Sequence, residues 1–351
     1  MATTSTKRSG TPSPSPEHRP GQHSLEPLIE VRNLKVDYLS LRGPVRAVDG
    51  VSFSLKPGEV LGLAGESGSG KSTIAQAILR ILQPPAIITG GSVKFGGREV
   101  LEMNDDELAE FRWRDVSMVF QSAMNALNPV MTVGAQIIDA IQAHEGVSDR
   151  VARSRAEELL VVVGIEANRI DAYPHQLSGG MRQRAVIAIA LALHPPLMIM
   201  DEPTTALDVV VQKEIMYQIT ELREQLGFSI LFITHDLSLL VEISNRIAIM
   251  YAGQIVELAP ARTLFDNPLH PYTRGLMSSF PSLTGERVKL TGIPGSPPDL
   301  AAPPSGCRFH PRCPNRMAQC DRVVPRLAEV EPDHLVACHL YPESTPAGSV
   351  A

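Results

Sequence analysis

Toward the start of the chain the apolar positions come in short bursts: Ile29-Glu30-Val31, Lys35 to Leu39 and Val51 to Leu55. Each burst predicts a short strand, and Pro57-Gly58 after the third predicts a turn. Val60 to Ala64 is an unbroken apolar run ending on a Gly-rich stretch, and Ile74 to Leu82 then follows helical spacing. The order is strand, loop, helix. Residues 104–115 and 136–164, rich in Glu, Arg and Ala, carry helical patterns and predict a helical insertion over about 104–180. Beyond it the pattern alternates. Ala185 to Leu193 reads as helix, Leu197 to Met200 as buried strand, Val209 to Leu226 as helix, and Ser229 to Thr234 as a second buried strand. Near-continuous apolar strands separated by helices predict an α/β fold whose parallel sheet is covered on both faces.

The two ends differ from this middle. Residues 1–27 are rich in Ser, Thr, Pro and basic side chains with almost no apolar content, so they are expected to be disordered. Residues 281–306 are Pro/Gly-rich and predict a linker into a C-terminal region that holds all four cysteines, Cys307, Cys313, Cys320 and Cys338. No internal repeat appears, so one nucleotide-type unit is expected. A net charge of −6 argues against a free-standing nucleic-acid binder. The most apolar segment, Ala185 to Met200, is broken by His194-Pro195-Pro196, and a membrane-spanning helix needs about 20 apolar residues. With no basic-then-apolar leader in view, a cytosolic protein is expected, one that serves a membrane only through partners. In that setting a cysteine cluster reads as metal or redox chemistry before disulfides.

Three motifs carry chemistry. Gly65-Glu66-Ser67-Gly68-Ser69-Gly70-Lys71-Ser72 fits G-x-x-x-x-G-K-[ST]. Its glycines let backbone N–H groups turn toward phosphate oxygens, and the helix that follows adds its positive end. Lys71 would reach the β/γ-phosphates and the Ser72 hydroxyl would ligate Mg²⁺. A chance glycine-rich turn would not be flanked by a strand and a helix. The second motif, Leu197-Met198-Ile199-Met200-Asp201-Glu202, delivers two carboxylates to a strand end. Asp201 would hold Mg²⁺ and Glu202 would polarise the water that attacks the γ-phosphate. Alone, an Asp-Glu pair after a strand is more often a solvated turn; behind a phosphate loop it becomes informative.

The third motif, Leu177-Ser178-Gly179-Gly180-Met181-Arg182-Gln183-Arg184, resembles the signature of ABC-type ATPases, and the resemblance runs from residue 28 to about 260. It implies a P-loop NTPase cassette with a RecA-like core, an antiparallel β subdomain and a helical subdomain. It implies that Tyr38 stacks on adenine and that Gly65, Ser67, Gly68, Ser69, Gly70, Lys71, Ser72 and Thr73 cradle the phosphates. Gln121 would join Ser72 and Asp201 at Mg²⁺ and report the nucleotide state to a transmembrane partner, and His235 would contact the γ-phosphate. Thr205-Ala206-Leu207-Asp208 looks like the loop that crosses a dimer interface. Two cassettes would meet head to tail, with Ser178, Gly179, Gly180, Gln183 and Asp208 of one completing the nucleotide site of the other. A soluble non-transport ABC ATPase is the rival of a different class. It is disfavoured because only about a hundred residues, without sustained heptads, separate phosphate loop and signature.

Val119 to Pro129 and His270-Pro271-Tyr272-Thr273 resemble importers of the oligopeptide/dipeptide/nickel group, and Thr204 to Gln212 with Tyr251-Ala252-Gly253 look like the first of its two ATPase subunits. The resemblance implies two transmembrane permease subunits, a second and different ATPase subunit, and an extracytoplasmic solute-binding protein. The chain would lie on the cytoplasmic face of the cell membrane. Peptides are the expected cargo, with short oligosaccharides or nickel as alternatives. Residues 261–351 match the group's C-terminal extension, whose four cysteines in some members bind a [4Fe–4S] cluster. Four thiolates suit a cluster or structural zinc, and their spacing does not choose between them. His310, His334 and His339 are the nearby imidazoles that could substitute in a zinc site.

Overall fold

The computed structural model describes residues 26–121, 126–204, 208–278 and 292–341. The tail expected to be disordered falls outside them up to residue 25, as do 122–125 within the Val119–Pro129 motif, Thr205-Ala206-Leu207, the linker through 291 and residues 342–351.

The chain opens on β1 (Ile29–Ser40) and β2 (Gly43–Leu55), which pair antiparallel. The first two apolar bursts are thus one strand, interrupted by register shifts where Asn33 takes φ 48. Next come β3 (Val60–Ala64), α1 (Lys71–Ile78), β4 (Ala86–Phe95) and β5 (Arg98–Glu99). Among the described residues β2-β1-β4-β5 form one antiparallel sheet. Then follow α2 (Asp105–Glu110), β6 (Val116–Val119), α3 (Val133–Gln142), α4 (Asp149–Val162), α5 (Gly179–Ala190), β7 (Leu197–Asp201), α6 (Val209–Leu226) and β8 (Ser229–Ile233). The chain ends with α7 (Leu237–Ile243), β9 (Arg246–Tyr251), β10 (Gln254–Pro260), α8 (Ala261–Asp266), α9 (Pro271–Met277), β11 (Ala328–Glu331) and β12 (His334–Val336).

The large sheet has the order β11-β12-β10-β9-β3-β8-β7-β6. From β6 to β9 it is parallel, and from β9 outward it is antiparallel. The parallel strands are apolar along their whole length because both faces are covered. Leu197 and Ile199 of β7 face a core shared with α1 and the small sheet, while Met198 and Met200 face a core shared with the helices and the C-terminal region. Each such side chain, fully buried, contributes about 1.5–3 kcal/mol.

Four expectations shift. The helical pattern over 104–115 stops at Glu110, because Arg112 (φ −67, ψ 135) and Trp113 (φ 75, ψ −46) leave the helical region and the chain enters β6. Tertiary bonds override the local pattern there: Arg112 Nε donates to Leu79 O (2.9 Å) and its Nη2 to Arg80 O (2.7 Å), capping the turn after α1. That turn ends α1 at Ile78, short of the expected Leu82, with Arg80 at φ 50. The helical pattern over 136–164 is two helices, each with its own start: Thr132 Oγ1 accepts the Ala135 N–H (3.2 Å) ahead of α3, and Ser148 precedes α4. β6, inside the range read as helical insertion, is a strand of the large sheet.

The C-terminal region is not a detached appendage. β12 pairs with β10, so β11 and β12 extend the large sheet, and residues 292–306 run without helix or strand along the body, where Arg46 N–H donates to Leu300 O (3.3 Å). Among the described residues no helix is long and apolar enough to cross a membrane.

Candidate active site

The Gly-rich loop sits where β3 ends and α1 begins. Two of its glycines are demanded by close backbone approach. A Cβ on Gly65 (φ 148) would lie 2.2 Å from Met250 O, and one on Gly70 (φ 103) would lie 2.3 Å from Ala47 O. Gly68 supplies a third positive φ, 77, in open space. Ser69 N–H donates back to Glu66 O (3.2 Å), Gly253 N–H donates to Ser69 O (3.0 Å), and the loop is thereby tied into a tight ring. Ser67 lies in the same ring, and Thr73 in the first turn of α1 has its hydroxyl 3.4 Å from Tyr38 Oη on β1. This brings Tyr38 beside the loop.

Lys71 is buried, and its Nζ donates to Gly65 O (2.8 Å) and Glu66 O (3.0 Å). Burial lowers its pKa, while Glu202, Asp201 and Glu66 pull it back up. The ammonium is thus held at the loop by carbonyl oxygens, and its positive charge is the group that would attract triphosphate oxygens.

β7 ends beside this loop because it lies next to β8, itself the neighbour of β3. Asp201 is 4% exposed, and its Oδ1 accepts a hydrogen bond from Ser72 Oγ (3.0 Å). Burial raises the Asp201 pKa, with the Ser72 bond acting in the opposite direction. Two hard oxygen donors side by side at a helix start could hold Mg²⁺. Glu202 takes φ 46, uncommon for a non-glycine residue, and its N–H donates to Ile233 O (2.8 Å). Its carboxylate meets Gln121 Nε2 (2.9 Å) from the end of β6 and His235 Nδ1 (3.3 Å) from the end of β8. Carboxylate, amide and imidazole thus come from three adjacent strand ends, an arrangement that can orient a water and steady charge developing on a phosphoryl group.

The signature residues are elsewhere. Ser178 is the N-cap of α5 and accepts the Met181 N–H (3.3 Å), while Gly179 and Gly180 open that helix at a half-buried position. Among the described residues no hydrogen bond joins Ser178, Gly179 or Gly180 to the Gly65–Thr73 loop. Gln183, one turn into α5, is 1% exposed. Asp208 caps α6, its Oδ1 accepting the N–H groups of Val210 (3.1 Å) and Val211 (3.0 Å).

The cysteines belong to the C-terminal region: Cys307 and Cys313 adjoin Arg308 and Arg312, and Cys338 follows β12. All four are free, Cys307 N–H donates to Cys320 O (2.8 Å), and Met317 N–H donates to Cys320 Sγ (3.4 Å). Burial pushes the Cys307 thiol up to about 11, with Cys320, Cys338 and Cys313 adding to the rise; burial likewise raises Cys313 and Cys338. Among the described residues no group of three or more His, Cys, Asp or Glu side chains is arranged to hold a metal ion. His334 Nε2 forms a buried pair with Glu257 (2.7 Å). His310 bonds Cys307 O (2.9 Å) and His339 bonds Val323 O (2.9 Å), each through a ring nitrogen.

Two residues that the sequence left without a role crowd the loop. Tyr272 Oη accepts the Glu66 N–H (3.0 Å), and Arg312 grips the Glu66 carboxylate with two bonds (2.8 and 3.1 Å). Glu66 fills a variable position of its motif, and Arg312 is 246 residues away in sequence, so no local pattern announces the contact.

Comparison with known proteins agrees with this geometry. Residues 48–205 match the family model described as ABC transporter, and residues 256–320 match the one described as oligopeptide/dipeptide transporter, C-terminal region. The dipeptide transport ATP-binding protein DppD of Bacillus subtilis is 44% identical over 319 residues, covering 90% of this chain and 95% of that protein. A putative peptide import ATP-binding protein of Brucella melitensis is 48% identical over 301 residues, covering 85% of this chain and 91% of the relative. Among solved structures, the dimeric post-hydrolysis state of the ATP-binding cassette MJ0796 bound to ADP and Pi superposes with a TM-score of 0.60 at 30% identity, covering 67% of this chain and 99% of that one.

Proposed function

This chain belongs to the oligopeptide/dipeptide group of ABC transporter ATPases, and from that membership we propose that it hydrolyses ATP to energise the import of short peptides. ATP hydrolysis is the activity of that family, and its P-loop cassette fold is the one seen here. The observation that carries the reading is the union, in one chain, of the Lys71–Ser72–Asp201–Glu202 constellation with a C-terminal region of the peptide-transporter type. Residues 28–260 are assigned to the ATPase domain and 261–351 to the transporter-type extension.

Roles follow from the chemistry of each group. The loop N–H groups and Lys71 bind the phosphates, and Tyr38 stacks on the base. Ser72 and Asp201, joined by Gln121, would hold Mg²⁺, which supplies positive charge against the triphosphate. The fit is carried by the Ser72 hydroxyl and Asp201 carboxylate, hard oxygens 3.0 Å apart at the loop. Glu202 accepts the proton of the attacking water, and His235 donates toward the γ-phosphate. Ser178, Gly179 and Gly180, on a helix start away from this loop, would serve the nucleotide of a facing subunit. A second ATPase subunit, two permeases and a solute-binding protein complete the proposed assembly, with this chain on the cytoplasmic face of the membrane.

The test is uptake. Cells lacking this chain should fail to accumulate labelled di- and oligopeptides, and wild-type protein should restore uptake where Glu202→Gln does not. Intact peptide uptake with loss of oligosaccharide or nickel uptake would replace the cargo. No transport defect at all would point to a soluble ATPase.

For the tail, a [4Fe–4S] cluster is our reading. It rests on the donor set: four free thiols in one C-terminal region, the number and softness of ligand that such a cluster takes. Protein purified without oxygen should contain iron and acid-labile sulfide, about four iron atoms per chain, lost on Cys320→Ser. Zinc without iron would assign the thiols to a zinc site.

A further inference from the structure

We propose that Arg312 of the C-terminal extension is a positioning residue for the ATP phosphate loop, acting through Glu66. Glu66 is held at three points. Its carboxylate takes two parallel bonds from the Arg312 guanidinium, from Nη1 at 2.8 Å and from Nη2 at 3.1 Å. Its N–H donates to Tyr272 Oη (3.0 Å), and its C=O accepts from Lys71 Nζ (3.0 Å). Two of these three holds come from residues beyond the ATPase domain. The third, at the C=O, is shared by the Ser69 N–H (3.2 Å) and the lysine that the phosphates require.

Arg312 is itself fixed. Its side chain is 7% exposed, its Nε donates to Pro294 O (2.9 Å), and its Nη1 reaches Tyr251 Oη (3.3 Å). The guanidinium also lies over the Tyr251 ring, 5.7 Å from its centre. Tyr251, Tyr272 and Phe309 pack on one another with ring centres 4.6, 5.2 and 5.4 Å apart, so arginine and tyrosine clamps share one aromatic base. Arg308, four residues earlier, binds Ala252 O and the Asp49 carboxylate and pins the same segment to the β9–β10 turn. Pro297, Pro298 and Leu300 back onto Glu66 to Ser69 across a cavity of about 20 Å³. The extension therefore braces the rear of the loop whose front would face the nucleotide.

A carboxylate at this position would, unpaired, repel a triphosphate; a bidentate arginine cancels that charge and fixes the loop geometry together. The chemistry of Glu202, on a separate strand end, is untouched. Loss of Arg312 should accordingly weaken nucleotide binding and raise KM while leaving kcat little changed. The inference rests on the nucleotide occupying the Gly65–Thr73 loop.

The test uses the full chain titrated with a fluorescent ATP analogue and Mg²⁺, plus ATPase kinetics of the assembled transporter. Arg312→Ala should raise the Kd about tenfold, with kcat within about twofold of wild type. Arg312→Lys, which keeps the charge and loses the fork, should fall between. Adding Glu66→Gln to Arg312→Ala should recover much of the lost affinity, because the uncompensated carboxylate is gone. A merely structural arginine would not be rescued this way. If Arg312→Ala does not fold, Arg312→Lys alone and with Glu66→Gln decide the matter. Unchanged Kd in every folded variant, strictly additive effects, or a lowered Tm with unaltered Kd would overturn the proposal. Normal binding by Lys71→Ala would instead overturn the placement of nucleotide on the loop.

Discussion

Glu202 occupies a left-handed backbone position, φ 46, at the end of a fully buried strand. Such a conformation costs about 1–3 kcal/mol and persists where surroundings over-determine it. Here the Ile233 carbonyl holds its N–H while Gln121 and His235 hold its two carboxylate oxygens. The side chain is thereby aimed and kept acceptor-rich, as a group that receives a proton from water must be. Glu202→Gln preserves size and the strand while removing the basic oxygen. ATP turnover should fall about 10²–10⁴-fold with nucleotide binding retained, as single-turnover assays and equilibrium titration would show. Near-normal turnover would remove Glu202 from the role of base.

α9 (Pro271–Met277) is a short helix whose start is built with care, and its first-turn tyrosine touches the phosphate loop. His270 is its N-cap: Nδ1 accepts the Tyr272 N–H (3.0 Å), which requires a ring unprotonated at that nitrogen. The His270 N–H in turn bonds the buried Glu257 carboxylate (2.9 Å). Burial holds the imidazole pKa at about 4, below its ordinary 6.5. A group depressed in the folded state binds protons first when unfolded. The stability it contributes is complete above about pH 6.5 and is lost as pH falls toward 4, up to about 3 kcal/mol. Denaturant unfolding at pH 7 and pH 4.5 should show a steep loss for wild type and a shallower one for His270→Asn, which caps without titrating. Equal slopes would mean the ring is already solvated.

At the scale of the molecule, the extension and the ATPase domain share one sheet and one core. β12 pairs with β10, and Tyr272 and Phe309 lie in the same apolar cluster as Met198 and Met200. A chain ended at Pro260 would expose that face and the edge of β10, so it should aggregate on expression where the full chain is soluble; a cooperatively folding truncation would refute this unity. Much was legible beforehand. The β3–loop–α1 unit, β7, α6 and β8 were readable because apolar runs and helical spacing there coincide with burial on both faces, and the phosphate loop because its glycines answer to local backbone geometry. The positions of Lys71 and Ser72 at the start of α1, and of Asp201 and Glu202 at the end of β7, were readable because those elements were. The local pattern thus sets out the parts: a Gly-rich loop, two carboxylates on a strand end, a signature helix and a peptide-transporter tail. Packing across the fold set where α2 ends, at Glu110, how deeply Gln183 is buried, and how Arg312 and Tyr272 of the tail grip Glu66. The physical reason is range: periodicity and loop sterics act over a few residues, whereas an ion pair 246 residues apart exists only once the sheet has brought its two ends together.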